Sequence, residues 1–244
     1  MRKSPLILLS ALCALLSGCF SFNLFDSNSV KGSGNIVTAT RTVSQFDRVS
    51  VSGSGHLSIV QGDQEALTIE ADDNLLPLIK SEVASGVLKI GPENVNLRPS
   101  KTIHYVLQLK SLEALHLSGS LEAEAQSIKT DQLLITISGS GKIQVARLET
   151  SELNVHVSGS GDIQLAGKVN RQTIQISGSG NYRAGNCESQ TTAGHISGAG
   201  DATVWARLEL QAHVSGSGDI KYYGSPQLDT HVSGSGSVHS LGNK

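Results

Sequence analysis

Residues Ile137 to Val169 read ISGSGKIQVARLETSELNVHVSGSGDIQLAGKV. The tetrapeptide Ser-Gly-Ser-Gly occurs twice in this stretch, starting at Ser138 and again at Ser158, 20 residues on. Around each copy apolar and polar residues alternate, as in LNVHVS before the second copy and DIQL after it. A period of two is the signature of a half-buried strand. Gly and Ser are poor material for a strand interior, so their fixed placement between strands needs a physical cause.

The unit recurs along the chain. Gly-Ser-Gly or a near equivalent begins at Gly32, Gly53, Gly119, Gly139, Gly159, Gly178, Gly198, Gly216 and Gly234. From Gly119 onward the spacings are 20, 20, 19, 20, 18 and 18. Self-similarity at this period marks a solenoid or array. Each repeat reads as strand, Gly-Ser corner, strand, then a variable turn such as ARLETSE or AGKVNRQ. The predicted fold is all-β: a parallel, right-handed β-helix with coils of about 20 residues and a less regular N-terminal half. Each strand would pair with its copy one coil away, about 4.8 Å along the axis.

In that fold the glycines have a structural task. A sharp corner needs positive φ and tolerates close approach by the neighbouring coil, and Ser is small enough to stack beside it. Even spacing and flanking strands exclude a flexible linker. A phosphate-cradling loop would open a helix, and none follows. A Ca²⁺-binding β-helix repeat would have a shorter period and its Asp in a different place.

Residues 56–112 are less regular. The gap from Gly53 to Gly119 is 66, close to three times 22, so the segment reads either as degenerate coils or as an insertion of extra strands covering one end. ADDNLLPLI within it reads as a short helix or turn. An uncovered end would expose unpaired strand edges, so self-association through the solenoid ends is expected to be open to this chain.

Of the 244 residues 38% are hydrophobic and 4% aromatic, and the formal net charge is −2. The chain is too apolar for disorder and lacks the basic stripe of a nucleic-acid binder. It opens with Arg2 and Lys3, then an apolar run from Leu6 to Leu16, too short to span a bilayer and typical of a secretory signal. The run ends in Leu16-Ser17-Gly18-Cys19, which resembles a bacterial lipobox whose Cys is lipidated before cleavage. The expected organisation is a lipoprotein signal over 1–18, a lipid anchor on Cys19 with a tether over 19–35, and a head over 36–244, irregular at 36–112 and regular at 113–244. Phe20, Phe22 and Phe25 would dip into the membrane interface. An Asp directly after the lipidated Cys would resemble an inner-membrane retention signal; Phe20 stands in that place, which points to the outer membrane. Cys187 is expected to be a small core residue.

Stacking turns equal repeat positions into columns. Ahead of the corners lie His116, Thr136, His156, Gln175, His195, His213 and His231, predicted to point outward because Val155 and Val157 point inward. His195, His213 and His231 fall on consecutive coils and form the candidate metal ladder, though a flat ladder suits tetrahedral coordination poorly. After the corners lie Lys142, Asp162, Asn181, Asp201, Asp219 and Ser237. Asp201 and Asp219 would be adjacent carboxylates, as in polysaccharide-cleaving enzymes, but short turns build no deep cleft. No catalytic residue and no cofactor is assigned.

The combination FDRVSVSGSGHLSIVQGDQEALTIEADDNLLPLI, then GVLKI, then repeated VSGSGDI resembles the head GIN-domain family of auto-transporter adhesins, over about Phe46 to Gly236. The resemblance implies an extracytoplasmic β-helical head, often on lipoproteins, and brings no site residues. The expected function is a lipid-anchored envelope binding module whose partner is a glycan or an envelope protein. The alternatives are an envelope structural component without a ligand and, less favoured, a polysaccharide-active enzyme.

Overall fold

The computed structural model describes residues 28–244; the signal, Cys19 and most of the tether lie outside them. The described residues form a β-solenoid. Its first part comprises β1 (Ser29–Lys31), β2 (Ile36–Arg41), β3 (Arg48–Gln61), β4 (Ala66–Asp72), a 3-10 turn at Leu76–Leu78, β5 (Ile79–Ala84), β6 (Val87–Pro92), β7 (Asn96–Arg98) and β8 (His104–Leu109). The regular part comprises β9 (Ala114–Ala125), β10 (Ile128–Gly139), β11 (Lys142–Gly159), β12 (Asp162–Gly178), β13 (Asn181–Gly198), β14 (Asp201–Gly216), β15 (Asp219–Tyr223), β16 (Gln227–Gly234) and β17 (Ser237–Ser240).

The coils stack parallel and in register, as the spacing predicts. Gly139 pairs with Gly119 and Gly159, Gly178 with Gly159 and Gly198, and Gly216 with Gly198 and Gly234. The inward column Ile137, Val157, Ile176, Ile196 and Val214 is buried throughout, each such side chain contributing about 1.5–3 kcal/mol on burial. Cys187 is also buried in this core, and burial pushes its thiol up to about 12.

The corners show why glycine recurs. Gly159 has φ +117, and a Cβ on it would lie 2.5 Å from the carbonyl oxygen of Gly139 one coil below. That same oxygen accepts the N–H of Ser160 at 2.9 Å, so the hydrogen-bond ladder runs through the bend. The second glycine has a different constraint: a Cβ on Gly180 would lie 2.6 Å from both Gly161 O and Val157 Cγ1. The residue between them is freer, and Ala199 serves in one coil with its N–H bonded to Gly178 O at 2.9 Å.

One expectation needs correction, and one pair of alternatives is decided in favour of an insertion of extra strands. The variable turns ARLETSE and AGKVNRQ are extended strand with a bulge, not loops. Alternation continues through them, placing Leu148, Thr150 and Val169 inward, and their backbones pair with the next coil at Leu148–Gly167, Glu149–Lys168 and Thr150–Val169. The long gap is not a run of degenerate coils. β3 stacks directly on β9, with Gly53 opposite Gly119, so the intervening residues are one insertion. Within it β4 pairs antiparallel with β2 and β8, and β5 with β6. Leu75, Ile79, Val43 and Phe46 are buried at this end.

The ADDN segment anchors the insertion. Buried Asp72 accepts from Gly34 N–H at 2.7 Å, Ser100 N–H at 2.9 Å and Ser100 Oγ at 2.5 Å. Asp73 accepts from Ser33 Oγ at 2.5 Å and Asn35 Nδ2 at 2.9 Å. The Ser100 hydroxyl first, then the backbone N–H groups, hold Asp72 below the usual carboxylate range.

Candidate functional site

The column after the corners is used to join coils. Asn181 Nδ2 donates to Asp162 Oδ1 at 2.8 Å, and Arg183 Nη1 pairs with the same oxygen at 3.4 Å. Asp219 N–H donates to Asp201 Oδ1 at 2.9 Å, and Ser237 Oγ donates to Asp219 Oδ1. Asp201 and Asp219 do stand on adjacent coils, but each lends an oxygen to the coil that follows. The Ser237 hydroxyl holds Asp219 below its usual range, which suits a fixed acceptor and not a general acid at neutral pH.

The histidine column forms as predicted. His195 is opposite His213, and His213 opposite His231. Their rings meet edge to face, with centroids 4.9 Å and 6.1 Å apart. All three are exposed and, with Gln175, line an open trough of about 400 Å³. Among the described residues no group of three or more His, Cys, Asp or Glu side chains converges on a point that could hold a metal ion. The ladder therefore runs along a line and offers a row of ring edges, not a coordination shell.

A second trough, of about 500 Å³, lies on the face that follows the corner. One wall is a column in strict register: Glu124, Gln144, Gln164, Arg183 and Thr203. These side chains alternate with buried Ala123, Ile143, Ile163, Tyr182 and Ala202, so the strand period itself turns them outward. Small residues where the strand bulges, including Ala146, Ala166 and Gly185, line the floor and leave it open. A Cβ on Gly185 would lie 3.1 Å from the Tyr223 ring, so the missing side chain makes room for that ring.

The aromatic rings are placed unevenly. Phe46, Tyr105, Tyr182 and Tyr222 are buried, and among the described residues only Trp205 and Tyr223 are not. These two are register partners on adjacent coils; Tyr223 lines one end of the trough, and Trp205 stands beside it one coil back. Lys244 Nζ lies 4.4 Å from the Tyr223 ring centroid and 5.6 Å from that of Trp205, and donates to Gly185 O at 2.7 Å and Asn186 Oδ1 at 2.5 Å. The trough thus combines amides, one guanidinium and an aromatic platform that already attracts a cation. At its other end His56 Nε2 sits 3.2 Å from Glu124 Oε1 and holds that carboxyl below its usual range, with help from the Ser58 hydroxyl. The sequence reading missed this trough. Its signal was present two positions beyond the Asp column, where Gln144, Gln164, Arg183 and Thr203 recur, and in Trp205 and Tyr223 at equal places in successive repeats.

The family described as "Putative auto-transporter adhesin, head GIN domain" matches residues 45–226. The chain belongs to this family. Solved structures resemble the head GIN domain across most of its length. A protein of Bacteroides fragilis described as a putative adhesin is 25% identical, covering 87% of this chain and 100% of its own, with a TM-score of 0.81. A protein of Parabacteroides distasonis described as a putative lipid binding protein is 26% identical, covering 88% and 100%, with a TM-score of 0.73. A putative adhesin of Parabacteroides merdae, 23% identical over 88% of this chain and 99% of its own with a TM-score of 0.70, shares the fold. No curated protein matches this chain in sequence. No helix among the described residues is long and apolar enough to cross a membrane.

Proposed function

We propose that this head GIN domain is a lipid-anchored, adhesin-like binding module of the cell envelope, without a catalytic role. The trough that ends at Tyr223, with Trp205 on the adjacent coil, is the observation that carries the reading. It is shallow, open and built of the same positions coil after coil. Such a surface presents similar chemistry every ~4.8 Å and suits an extended polymer, a glycan chain or an extended segment of an envelope protein. Amides and Arg183 supply directional hydrogen bonds, and the two rings supply flat apolar area that costs little side-chain entropy to hold.

The Bacteroides and Parabacteroides proteins described as adhesins support this reading. The one described as lipid binding raises another ligand class. The trough is open to solvent, with amides and Arg183 beside Ala125, Ala146 and Ala166, and a void inside the core beside Ile59, Leu115, Ile135 and Ile143 holds about 10 Å³, far too little for an acyl chain. Membrane contact is assigned instead to lipid on Cys19, in the outer membrane, where several acyl chains at about 0.8 kcal/mol per methylene give stable anchoring.

A glycan array probed with the Cys19→Ser chain tests the proposal. Retention on at least one polysaccharide that is lost in an Arg183→Ala, Tyr223→Ala double variant of unchanged circular dichroism is expected. Retention that the double variant keeps in full would place binding elsewhere. No retention on any glycan or on immobilised envelope protein would favour a structural role without a ligand.

A further inference from the structure

The two ends of the solenoid are built differently. At the first, the antiparallel insertion buries Val43, Phe46, Leu75 and Ile79. At the other, β16 pairs with β14 and, among the described residues, with no strand on its outer edge. All of β16 is exposed. Leu228 and Val232 continue the columns of Leu210 and Val214. The earlier pair are 0% and 1% exposed, the later pair 45% and 41%. The inward pattern is intact, and only its cover is missing. An apolar, unpaired edge of this kind is a template for another strand.

The backbone shows which residues face that edge. Leu134 N–H donates down to Glu113 O at 2.8 Å. Register carries the Leu134 position through Asn154, Thr173, Ala193 and Gln211 to Asp229. Successive residues of a strand point their N–H and C=O to opposite sides, so Leu228, Thr230 and Val232 aim theirs at the open edge. The segment Leu228-Asp229-Thr230-His231-Val232 is self-complementary when laid antiparallel on itself about Thr230. Leu228 then lies opposite Val232 on the core side, Thr230 opposite Thr230, and Asp229 opposite His231 on the outer side. The pairs at 228/232 and 230/230 are the hydrogen-bonded ones, which makes Asp229/His231 the closer, non-hydrogen-bonded pair, with Cα atoms about 4.5 Å apart.

We propose that two copies of this chain associate end to end through β16, on a two-fold axis at Thr230, so that the sheet runs antiparallel from one head into the other. Each copy covers the other's Leu228 and Val232, and each Asp229 carboxylate accepts from the partner's imidazole N–H. Other registers are disfavoured. A slip of one residue puts inward side chains opposite outward ones. Centring on Asp229 sets the two carboxylates against each other, and centring on His231 stacks the two imidazoles. The interface is isologous and closes at two, because the insertion gives the other end a different, covered surface. The pairing would present two troughs on one body and raise avidity for a polymer.

Sedimentation equilibrium of the Cys19→Ser chain over a wide concentration range tests this. A monomer–dimer equilibrium is expected. Leu228→Lys is expected to weaken association at least tenfold, as is Asp229→Lys, while Asp229→Lys with His231→Asp restores it. Circular dichroism checks that each variant is folded. A monomer at every concentration, larger open-ended assemblies, or a dimer indifferent to Leu228→Lys and to the charge exchange would each overturn the proposal.

Discussion

Replacing Gly159 with Ala perturbs one corner and nothing else. The substituted residue would have to keep φ near +117, and its new methyl would sit 2.5 Å from Gly139 O. Holding an L-residue in a sparsely populated backbone region costs about 1–3 kcal/mol. Moving the neighbouring coil to relieve the overlap costs about 1–3 kcal/mol more. The oxygen is backbone and is itself bonded to Ser160 N–H at 2.9 Å, so the overlap is not relieved by a side-chain rotation. The sum is about 2–6 kcal/mol, a large part of the 5–15 kcal/mol that holds a typical domain folded. Gly62→Ala is the control: a Cβ there meets nothing within 4 Å and its φ is not in the left-handed range. It is expected to be neutral or to stabilise by up to about 1 kcal/mol. Ser160→Ala is expected to be close to neutral, since Ala199 already fills that place. Urea unfolding followed by circular dichroism compares the three midpoints. Equal midpoints for Gly159→Ala and Gly62→Ala would refute the view that the repeated glycines exist for stacking.

Other consequences can be measured with simple assays. Gln172 is buried; its amide N–H groups donate to Ser189 and Thr192, and its Oε1 accepts from Tyr182. Ser189 and Thr192 also bond each other, so Gln172→Ala opens a cavity and strips the acceptor from the buried Tyr182 hydroxyl, and is expected to cost about 3 kcal/mol in thermal or urea unfolding. Asp72, Asp73, Glu124 and Asp219 are held below their usual range chiefly by Ser100, Ser33, His56 and Ser237; a depressed carboxylate adds stability that is complete above the unfolded value of about 4 and is lost as pH falls through the folded one. Melting temperature should therefore drop below about pH 4, and Asp72→Asn should flatten that drop, as read by thermal scans across pH. Cys187, with its thiol pushed up to about 12, should resist alkylation in the folded protein and react on unfolding, which mass spectrometry reads directly. Cys19→Ser should move the protein from the membrane fraction to the soluble one and abolish incorporation of labelled palmitate.

The solenoid was legible because its physics is local and repeated. Val155 and Val157 alternate with polar neighbours, the corner glycines fall at near-constant spacing, and stacking in register follows from both. The bulges were not legible as strand, since Ala146 and Arg147 interrupt the alternation and mimic a turn; the backbone stays paired because Leu148 resumes the inward face. The insertion was ambiguous because 66 residues divide as readily into coils as into hairpins. What separates them is the direct contact of Gly53 with Gly119, a long-range fact. The site was harder still. Histidine and aspartate columns draw attention as chemistry-bearing residues, yet Asp162, Asp201 and Asp219 join coils. The trough is built from Gln, Thr and Arg, whose significance comes from Trp205 and Tyr223 on coils 18 residues apart.

In the proposed function the trough binds and the Ser-Gly-Ser-Gly corners only stack. Photo-crosslinking in intact cells separates the two, with a photoreactive residue placed at Gln164 in the trough or at Ser160 on a corner. Adducts with an envelope polymer or protein from position 164, and none from position 160, are predicted. Adducts from position 160 with none from position 164 would contradict the assignment.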